Sequence, residues 1–446
     1  MYRLILKDKG NPSFSLDNPN AFLSQKSIDR RVRQRLEVDS VDLPPDPEYF
    51  EAIRKTGANI QSYSKWVKTA LVHLSDTLIV NKLEKLPFVD SLYCVWKGVL
   101  PEAVDNQSEQ KFAMSISYTG DENPYGAGFD QISLNNGHLL HEAGFYGNGI
   151  SIAVLDGGFV NVDIIPYFDQ KKIMEVKNFS HDLTAPLRRG IDHGTKVLSC
   201  LLSDKSGEMI GTAPGADYYL FQSEIAYEEF PVEEDYWIAA LEYADSIGVD
   251  IVTASLGYSV FEESSMNHSQ SQLDGKTVPV SRAASLAASR GILLFVSAGN
   301  EGNKNWKQLN IPADADHILS VGGITKDSIR SDFSSLGPTV DGRIKPDLMA
   351  MGSSVSVITS GGDIVKSNGT SFATPILAGL SACLWEALPN LTAFEMLKLL
   401  RESGDRFQHP DASYGYGIAD VYKAYTNSKT GIVESVEAKK QLRMGE

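Results

Sequence analysis

The stretch Asn368-Gly-Thr-Ser-Phe-Ala-Thr-Pro-Ile-Leu-Ala-Gly-Leu380 joins a small polar approach to an apolar run that contains a proline. Apolar residues recur at three- and four-residue steps from Phe372 to Ala387, which is the period of a helix with a buried face. Pro375 is expected in the first turn of this helix, where its missing N–H costs little. Ser371 therefore falls at or beside the N-terminus of a buried helix.

Ser371 has two interpretations. A hydroxyl at that position can cap the helix by accepting a hydrogen bond from an unpaired backbone N–H. It can also be a nucleophile whose attack creates an oxyanion near the positive end of the helix. Capping is the commoner role for an isolated serine, so the choice depends on partners elsewhere in the chain.

The bulk composition limits the class of protein. The chain has 446 residues, of which 42% are hydrophobic, so it can form two or three domains with a large core. Its formal net charge of -16 argues against nucleic acid or an anionic membrane as the main partner, because either would need a basic surface. No apolar run has the length of a membrane-spanning helix. We expect no nucleic-acid partner and no membrane span.

The start of the chain shows no export signal, and the cysteines show no disulfide pattern. Met1–Lys9 has too short an apolar part for a secretory signal and is predicted to be a strand. The protein is then cytoplasmic, or a signal has been removed from it. Its three cysteines match neither a disulfide framework nor a metal motif. Cys200 and Cys383 lie in apolar helical patterns and are predicted to be buried thiols.

Residues 1–100 have the outline of a small domain. Strand, helix, strand, helix and strand follow one another, which predicts an α+β sandwich of the ferredoxin-like type. The predicted elements are strands at 3–7, 70–74 and 88–96 and helices at 47–57 and 78–86. The insert 11–47 is longer than this outline needs. Its Arg30–Arg35 cluster is predicted to be a solvent-exposed helix face.

A second domain is expected after a polar linker. Residues 101–122 have the composition of a linker, the second domain is placed at 123–426, and 427–446 form a polar tail. From Gly149 onward, apolar strands alternate with helices, which predicts a three-layer α/β/α domain with a mostly parallel sheet. The predicted strands are 150–155, 218–221, 251–254, 292–297 and 318–321, and the predicted helices are 193–202, 236–247 and 281–290. In such sheets, ligands bind at the carboxyl ends of the strands.

Three polar residues of this domain follow strands or begin helices. Asp156 and Asn300 each follow a strand, and His193 is placed where a helix should begin. Each has an ordinary explanation as a turn or surface residue. Together with Ser371 they fit one mechanism, because a hydroxyl needs a base, the base needs a carboxylate, and an oxyanion needs donors.

The motif Gly-Thr-Ser-x-Ala-Thr-Pro at 369–375 and the chain order Asp, His, Ser resemble the subtilisin-like serine proteases, the subtilases of family S8. The similarity extends over roughly 123–425. Further matching segments are Asn123-Pro-Tyr-Gly, His141–Gly149, Gly211-Thr-Ala-Pro, Ser255-Leu-Gly, Ile311-Pro-Ala, Val321-Gly-Gly and Lys345-Pro-Asp. The resemblance implies a three-layer α/β/α fold and endopeptidase activity.

The resemblance also implies roles for single residues. Asp156, His193 and Ser371 would form the catalytic triad, with the Asn300 amide in the oxyanion hole. The segment Ser255, Leu256 and Gly257 would be one wall of the substrate site, and Ala298 and Gly299 would form the floor of its main pocket. Lys196 replaces the residue usual after His-Gly-Thr, and it would lower the pKa of the base if it pointed into the cleft.

The position of the first domain resembles that of the propeptide of the family. The resemblance implies a self-processing zymogen whose N-terminal domain is an intramolecular inhibitor, with a cleavage site in 101–122. An unrelated binding domain is the alternative for this part. For the whole chain, the alternative is a non-catalytic peptide-binding protein that keeps the fold.

Cofactor and location complete the expectations. No cofactor is required; calcium is frequent in the family, and the carboxylates of Glu224–Asp235 are candidate ligands. A charge run is more often solvated, so no metal ligand is assigned, and calcium binding stays open. The resemblance implies a secreted or periplasmic protein acting on protein or peptide substrates, with a cytoplasmic location as the alternative.

Overall fold

The computed structural model describes residues 1–100, 123–181, 187 and 191–428. The predicted linker 101–122 and all but the first two residues of the tail 427–446 therefore lie outside the described residues. In the described part, no helix combines the length and the apolar character that crossing a membrane requires.

The N-terminal domain contains a four-stranded antiparallel sheet in the order β2-β3-β1-β4, which confirms the α+β prediction. Its elements are β1 Tyr2–Leu6, α1 Gln25–Gln34, α2 Pro47–Lys55, β2 Asn59–Ser64, β3 Thr69–His73, α3 Val80–Leu83 and β4 Val89–Cys94. Leu4, Ile53, Val72 and Leu83 lie in its core. Strand β2 was not predicted, because Asn59-Ile-Gln-Ser-Tyr-Ser is largely polar and mostly accessible to solvent.

The second domain has a sheet of seven parallel strands in the order β13-β12-β11-β10-β5-β9-β6. Its elements are α4 Phe129–Ser133, α5 Gly137–Glu142, β5 Ser151–Asp156, β6 Ile173–Asn178, α6 His193–Leu202, β7 Asp204–Lys205, β8 Met209–Ile210, β9 Asp217–Gln222, α7 Val232–Ile247, β10 Ile251–Ala254, α8 Pro279–Ser289, β11 Leu293–Ser297, β12 Leu319–Ile324, β13 Leu348–Met351, β14 Val355–Ile358, β15 Ile364–Ser367, α9 Thr370–Ala387 and α10 Ala393–Glu402. Residues 421–428 are also helical. Short β7–β8 and β14–β15 hairpins lie outside the main sheet.

Alternate residues of the central strands face opposite helical layers, which confirms the three-layer prediction. On β5, Ile152 and Val154 pack in the core that contains α6 and α9, whereas Ala153 and Leu155 pack in the core of α7 and α8. Every residue of β5 is buried, as expected for a strand covered on both faces.

Helix α9 differs from its prediction at Pro375. The proline is the sixth residue of the helix and not part of its first turn. In a regular helix, the N–H at this position would donate to the carbonyl oxygen of Ser371. Here the Ser255 hydroxyl donates to that oxygen instead, with a distance of 2.7 Å. A side chain from the end of β10 thus satisfies the carbonyl that the proline leaves unpaired.

The N-terminal sheet docks on α7. The carboxylate of Glu242 accepts hydrogen bonds from the backbone N–H groups of Lys65 and Trp66, at 3.2 and 3.0 Å. Arg3 of β1 pairs with Asp235 at 2.7 Å. Trp66 is buried in the same core as α7 and α8, so the two domains share an apolar as well as a polar interface.

The prediction of an exposed arginine cluster in the insert is wrong. The Arg30 and Arg31 side chains are each 1% exposed, because α1 packs against the C-terminal end of α7 and both arginines contact Asp245. Arg33, farther round the helix, is half exposed. A sequence pattern shows the charge of a helix face, but it does not show that an oppositely charged residue of another domain covers that face.

The Lys345-Pro-Asp347 segment forms a buried charge network. The Asp347 carboxylate accepts from Lys345 Nζ at 2.6 Å and from Arg401 Nε at 2.8 Å. It also accepts from the backbone N–H of Ser320 at 2.7 Å, on β12. Burial would raise the pKa of Asp347, but Arg401 and Lys345 outweigh it and lower that pKa below its ordinary value.

We expect Asp347→Ala to lower the free energy of unfolding by about 3–5 kcal/mol, because Lys345 would remain buried without its partner. Urea unfolding followed by tryptophan fluorescence measures this loss. Since the pKa is lowered by folding, the stabilisation is present at neutral pH and is lost as pH falls through the folded-state pKa.

Glu402→Ala is the control for this prediction. The Glu402 pair with Lys398 is exposed, so we expect a change below about 1 kcal/mol. Equal losses in the two variants would contradict a structural role for the buried network.

Candidate active site

The carboxyl ends of β5, β10 and β11 and the N-termini of α6 and α9 surround a cleft of about 440 Å³. A parallel sheet places these ends at one edge, which is where the sequence predicted the site. The four predicted catalytic residues all line this cleft: Asp156, His193, Asn300 and Ser371.

Asp156 is the last residue of β5 and is fully buried. Its Oδ1 accepts hydrogen bonds from the backbone N–H of Gly157 at 2.8 Å and from His193 Nδ1 at 2.7 Å. The strand end and the turn therefore hold the carboxylate against the imidazole. A histidine that donates from Nδ1 presents Nε2 as the acceptor, the tautomer that a general base needs.

His193 is the first residue of α6, and its side chain is one-third exposed. Burial would lower the pKa of His193, but Asp156 outweighs burial and raises it above the ordinary value. Lys196 is not among the residues that line the cleft, although its charge still acts to lower this pKa. This effect is smaller than that of Asp156, which contacts the ring directly, and Asp192, which pairs with Lys196 at 2.7 Å, acts to raise the pKa.

Ser371 is the second residue of α9 and is 7% exposed. Its hydroxyl donates to the carbonyl oxygen of Ser255 at 3.3 Å and is not a cap of the helix. The capping interpretation is therefore wrong. The bond to Ser255 is long, and rotation about the Cα–Cβ bond of Ser371 changes the direction of the hydroxyl.

The carboxamide of Asn300 is oriented by α9. Its Oδ1 accepts from the backbone N–H of Thr370 at 2.9 Å and from the Thr370 hydroxyl at 3.1 Å. These two donors assign the oxygen and nitrogen of the amide. With Oδ1 held against the start of α9, the Nδ2 donor is directed away from Thr370.

The predicted substrate-binding residues divide into two groups. Ser255, Leu256, Gly257 and Gly299 line the cleft. Ala298 is fully buried in the core of α7 and α8, and its backbone N–H donates to Val321. Its side chain lies behind the strand instead of on the pocket floor.

The sequence analysis missed an acidic wall, which we define as the five cleft-lining glutamates Glu224, Glu228, Glu229, Glu233 and Glu262. The prediction that the run 224–235 is solvated is wrong for several members, since Glu224, Glu233, Glu234 and Asp235 are buried. Glu224 follows β9, the neighbour of β5 in the sheet. The strand-end rule that selected Asp156 would therefore have selected Glu224 as well.

Crowding raises the pKa values within the acidic wall. Burial, followed by the charge of Glu229, raises the pKa of Glu224 to about 8. Burial and the charge of Glu262 raise the pKa of Glu229 to about 7. Carboxyl groups of Glu224, Glu229 and Glu233 have oxygens within 4.8 Å of one another, so they do not all carry a full charge at neutral pH.

These three carboxyl groups fit a calcium ion only in part. Calcium requires six to eight oxygen ligands. The Glu233 carboxylate already accepts hydrogen bonds from the backbone N–H groups of Ile225 and Phe230. The Glu224 carboxylate accepts one from the Tyr258 hydroxyl. The mechanism proposed below involves no metal.

The end of the N-terminal domain reaches the rim of this cleft. Trp96 Nε1 donates to Glu228 at 2.8 Å, and Lys97 pairs with Glu263 at 2.6 Å. Glu228 belongs to the acidic wall, so Trp96 contacts the wall of the cleft that the candidate catalytic residues line.

Comparison with known proteins identifies the family. The profile of the subtilase family matches residues 147–417. The profile of the Peptidase S8 propeptide domain, Bacteroidota, matches residues 1–111. The chain belongs to the subtilase family, as the sequence motifs predicted. It carries a propeptide domain of peptidase family S8, as the position and element order of the first domain predicted.

The curated relatives include bacterial serine proteases. Subtilisin NAT of Bacillus subtilis subsp. natto is 26% identical over 376 residues, which cover 84% of this chain and 85% of that protein. Serine protease AprX of Bacillus subtilis (strain 168) is 28% identical over 306 residues, covering 62% of this chain and 66% of that protein. These relatives support a serine peptidase.

Solved structures show the same fold. The prenylagaramide maturation protease PagA covers 65% of this chain and 97% of its own, with a TM-score of 0.52 and 21% identity. The MycP3 protease of the type VII (ESX-3) secretion system covers 69% of this chain and 90% of its own, with a TM-score of 0.52 and 19% identity. At these identities the likeness supports the fold alone.

Two variants at the start of α6 should move the pKa of His193 in opposite directions. Asp192→Asn removes a negative charge that raises this pKa, so we expect it to fall. Lys196→Met removes a positive charge that lowers it, so we expect it to rise. An NMR titration of the His193 ring measures both shifts. Shifts of the same sign in the two variants would contradict the charge arrangement described for this helix start.

Proposed function

We propose that the protein is a serine endopeptidase that cleaves peptide bonds through Asp156, His193 and Ser371. The observation that supports it most is the 2.7 Å hydrogen bond between His193 and Asp156 in the cleft that Ser371 also lines. A buried carboxylate that fixes an imidazole beside a helix-start hydroxyl is the arrangement nucleophilic catalysis requires.

In the first half of the reaction, Ser371 Oγ attacks the substrate carbonyl carbon and His193 Nε2 takes its proton. The hydroxyl must first turn from the Ser255 carbonyl oxygen toward the imidazole. The negative charge then moves to the carbonyl oxygen, where Asn300 Nδ2 and the backbone N–H of Ser371 are its donors. The positive end of α9 favours the same charge.

The tetrahedral species collapses when His193 returns the proton to the leaving nitrogen and the carbon–nitrogen bond breaks. An amine leaves, and an ester remains on Ser371. Water then attacks the acyl carbon of this ester with His193 again as the base. The bond from that carbon to Ser371 Oγ breaks, Oγ takes the proton back from His193, and the acyl part leaves as a carboxylic acid. Asp156 stays ionised throughout and stabilises the protonated imidazole.

Ser255 has a positioning role in this proposal. Its hydroxyl holds the Ser371 carbonyl that Pro375 leaves without a helical N–H donor, at 2.7 Å. The first turn of α9 is thereby held against the end of β10. The segment Ser255–Gly257 then offers its backbone to an extended peptide, in the manner of an added strand.

The same proposal covers maturation. The propeptide match and the contacts of Trp96 and Lys97 at the cleft rim support a zymogen whose N-terminal domain is an intramolecular inhibitor. Cleavage is proposed within 101–122, with water adding across one peptide bond to give a carboxylate and an amine. The secreted or periplasmic location stays a prediction, which cell fractionation tests.

The rival is a peptide-binding protein without turnover. The observation in its favour is that the Ser371 hydroxyl donates to Ser255 and not to His193, within the part of the chain that the structure describes. A binding protein, however, has no use for a carboxylate-oriented base. Catalytic hydrogen bonds are also often long or misaligned before substrate binds.

We expect a fluorophosphonate probe to label the purified chain at Ser371, and we expect Ser371→Ala to abolish both labelling and casein hydrolysis. Ser381→Ala is the matched control, since Ser381 lies on the same helix but donates to Leu377. A folded wild-type chain, freed of its N-terminal domain, that neither reacts nor hydrolyses casein would favour the binding protein.

The acidic wall should set a charge preference for substrates. The acidic wall keeps part of its negative charge at neutral pH, and a lysine side chain beside it favours the ionised carboxylates. We therefore expect a peptide with lysine on the acyl side of the scissile bond to be cleaved at least about tenfold faster, by kcat/KM, than the same peptide with glutamate. Glu229→Gln should reduce this ratio, and added salt should reduce it too.

Glu301→Gln is the control for this preference. Glu301 is next to Asn300 but pairs with Lys304, at 2.9 Å, and is not a member of the acidic wall. A ratio that Glu229→Gln leaves unchanged would contradict the proposed role of the wall.

A further inference from the structure

We propose that Asn310 sets the side-chain preference of the cleft by accepting a hydrogen bond from the substrate residue on the acyl side of the scissile bond. The preferred side chains are those that end in an uncharged amide, which are asparagine and glutamine. The site is what we call the amide pocket, formed by Gly257, Gly299 and Asn310. The proposal rests on the peptide cleavage proposed above for the position of the substrate, and it adds a substrate class to that function.

Three segments of the chain meet in the amide pocket. Gly257 lies after β10, Gly299 lies after β11, and Asn310 belongs to the loop between β11 and β12. All three line the cleft that Ser371 also lines. The sequence analysis selected both glycines but not Asn310, because this residue does not follow directly on a strand.

Backbone hydrogen bonds hold Asn310 in place. Its N–H donates to the carbonyl oxygen of Ala298 at 3.0 Å. The next residue, Ile311, exchanges two backbone hydrogen bonds with Tyr258, at 2.7 and 3.0 Å. Asn310 is therefore fixed between the chain that leaves β10 and the chain that leaves β11.

The Asn310 side chain occupies the space that the two glycines leave free. A Cβ on Gly257 would lie 2.7 Å from Asn310 Cβ, and a Cβ on Gly299 would lie 2.9 Å from Asn310 Cγ. Close-packed side chains do not approach each other to such distances. The carboxamide of Asn310 therefore contacts both segments and forms the base of the pocket.

One acceptor of this carboxamide is not used by the protein. Asn310 Nδ2 donates to the carbonyl oxygen of Gly257 at 3.5 Å. The reverse orientation would place two carbonyl oxygens against each other, so this contact assigns the nitrogen and the oxygen. Asn310 Oδ1 is buried and has no hydrogen-bond donor within the part of the chain that the structure describes. Since buried acceptors are nearly always paired, Oδ1 is suited to a donor that the substrate supplies.

The proposed mechanism places one substrate side chain at this pocket. Asn300 holds the oxygen of the carbonyl group that Ser371 attacks, so the residue that carries this carbonyl lies beside Asn300. Gly299 directly precedes Asn300, and the substrate strand pairs with the segment that ends at Gly257. The side chain on the acyl side of the scissile bond therefore lies between the two glycines, above Asn310.

An amide side chain pairs with Asn310 in both directions. Its NH₂ group donates to Oδ1, and its oxygen accepts the second hydrogen of Nδ2, because only one of the two hydrogens is directed at Gly257. An apolar side chain of the same length would exclude water and leave Oδ1 without a donor. A site that hydrogen-bonds a substrate group discriminates strongly against an analogue that lacks this group.

The amide pocket and the acidic wall respond to different properties of the substrate. The wall acts on charge. Glutamine and methionine are both uncharged and have similar lengths, and the same holds for asparagine and leucine. Comparisons within these two pairs therefore measure the amide pocket and not the wall.

The test uses four peptides that differ only in the residue before the scissile bond, which is glutamine, methionine, asparagine or leucine. We expect kcat/KM to be at least about tenfold higher for glutamine than for methionine, and for asparagine than for leucine. The protein is the full chain, and competition by its N-terminal domain lowers all four values by the same factor. Ratios near one in both pairs would overturn the proposal.

The variant Asn310→Leu keeps most of the side-chain volume but removes the acceptor. We expect it to lower the glutamine-to-methionine ratio at least about tenfold. If Asn310 had only a structural role, both rates would fall together and the ratio would not change, and this result would overturn the proposal. Asn303→Leu is the control, since Asn303 is an exposed residue of the same loop that does not line the cleft. Circular dichroism checks the fold, and Asn310→Ala serves if Asn310→Leu does not fold.

A binding measurement separates this proposal from the proposed function. In the full chain with Ser371→Ala, fluorescence anisotropy of labelled peptides should give a lower Kd for glutamine than for methionine, because the amide pocket needs no nucleophile. Preferential binding of glutamine by a chain whose wild type hydrolyses none of the peptides would count against the peptidase and support the amide pocket. Equal binding of both peptides, together with equal cleavage, would count against the amide pocket alone.

Discussion

All seven strands of the large sheet run in the same direction, and this constraint determines where everything else in the molecule lies. The carboxyl ends of the strands meet at one edge, so residues that follow them, such as Asp156 and Ser255, are neighbours although the sequence separates them. The amino ends meet at the other edge, where the chain returns from the helices. The candidate active site uses the first edge and α1 docks at the second, so one fold offers two separate surfaces to the N-terminal domain.

Helix α7 connects these two surfaces. Its inner face packs on the sheet through residues such as Trp237 and Leu241, while its outer face contains Asp235, Glu242 and Asp245. Those carboxylates are buried by the N-terminal domain and are paired with its arginines and backbone N–H groups. Burying charge is costly unless the partners are in place. The outer face of α7 is therefore complementary to the arginines and backbone N–H groups of the propeptide domain. An apolar surface could not pair with its carboxylates.

The sequence alone predicts those elements and motifs that depend on a local pattern of residues. Strands such as β5 and β10 are short apolar runs after turns, and Ser371 lies in a motif whose spacing is specific. It does not predict burial or helix position where these depend on a residue far away in the chain. Arg31 looks like a surface residue because its partner Asp245 is 214 positions away. The same holds for Pro375, which is tolerated inside α9 because the hydroxyl of Ser255, at the end of β10, donates to the carbonyl oxygen that the proline leaves unpaired.

All four proposed catalytic residues line the cleft, but the Ser371 hydroxyl donates its hydrogen bond to the carbonyl oxygen of Ser255. Asp156 holds His193, and Thr370 holds Asn300, so the proposed base and the proposed oxyanion donor are both oriented by hydrogen bonds within the protein. In the proposed mechanism the Ser371 hydroxyl is the group that must turn, by rotation about its Cα–Cβ bond. A peptide paired with Ser255–Gly257 would bring its carbonyl carbon to the hydroxyl, and the approach of that carbon would favour the orientation in which His193 accepts the proton. In the proposed mechanism, preorganisation therefore resides in His193 and Asn300, and substrate binding would supply the remaining step.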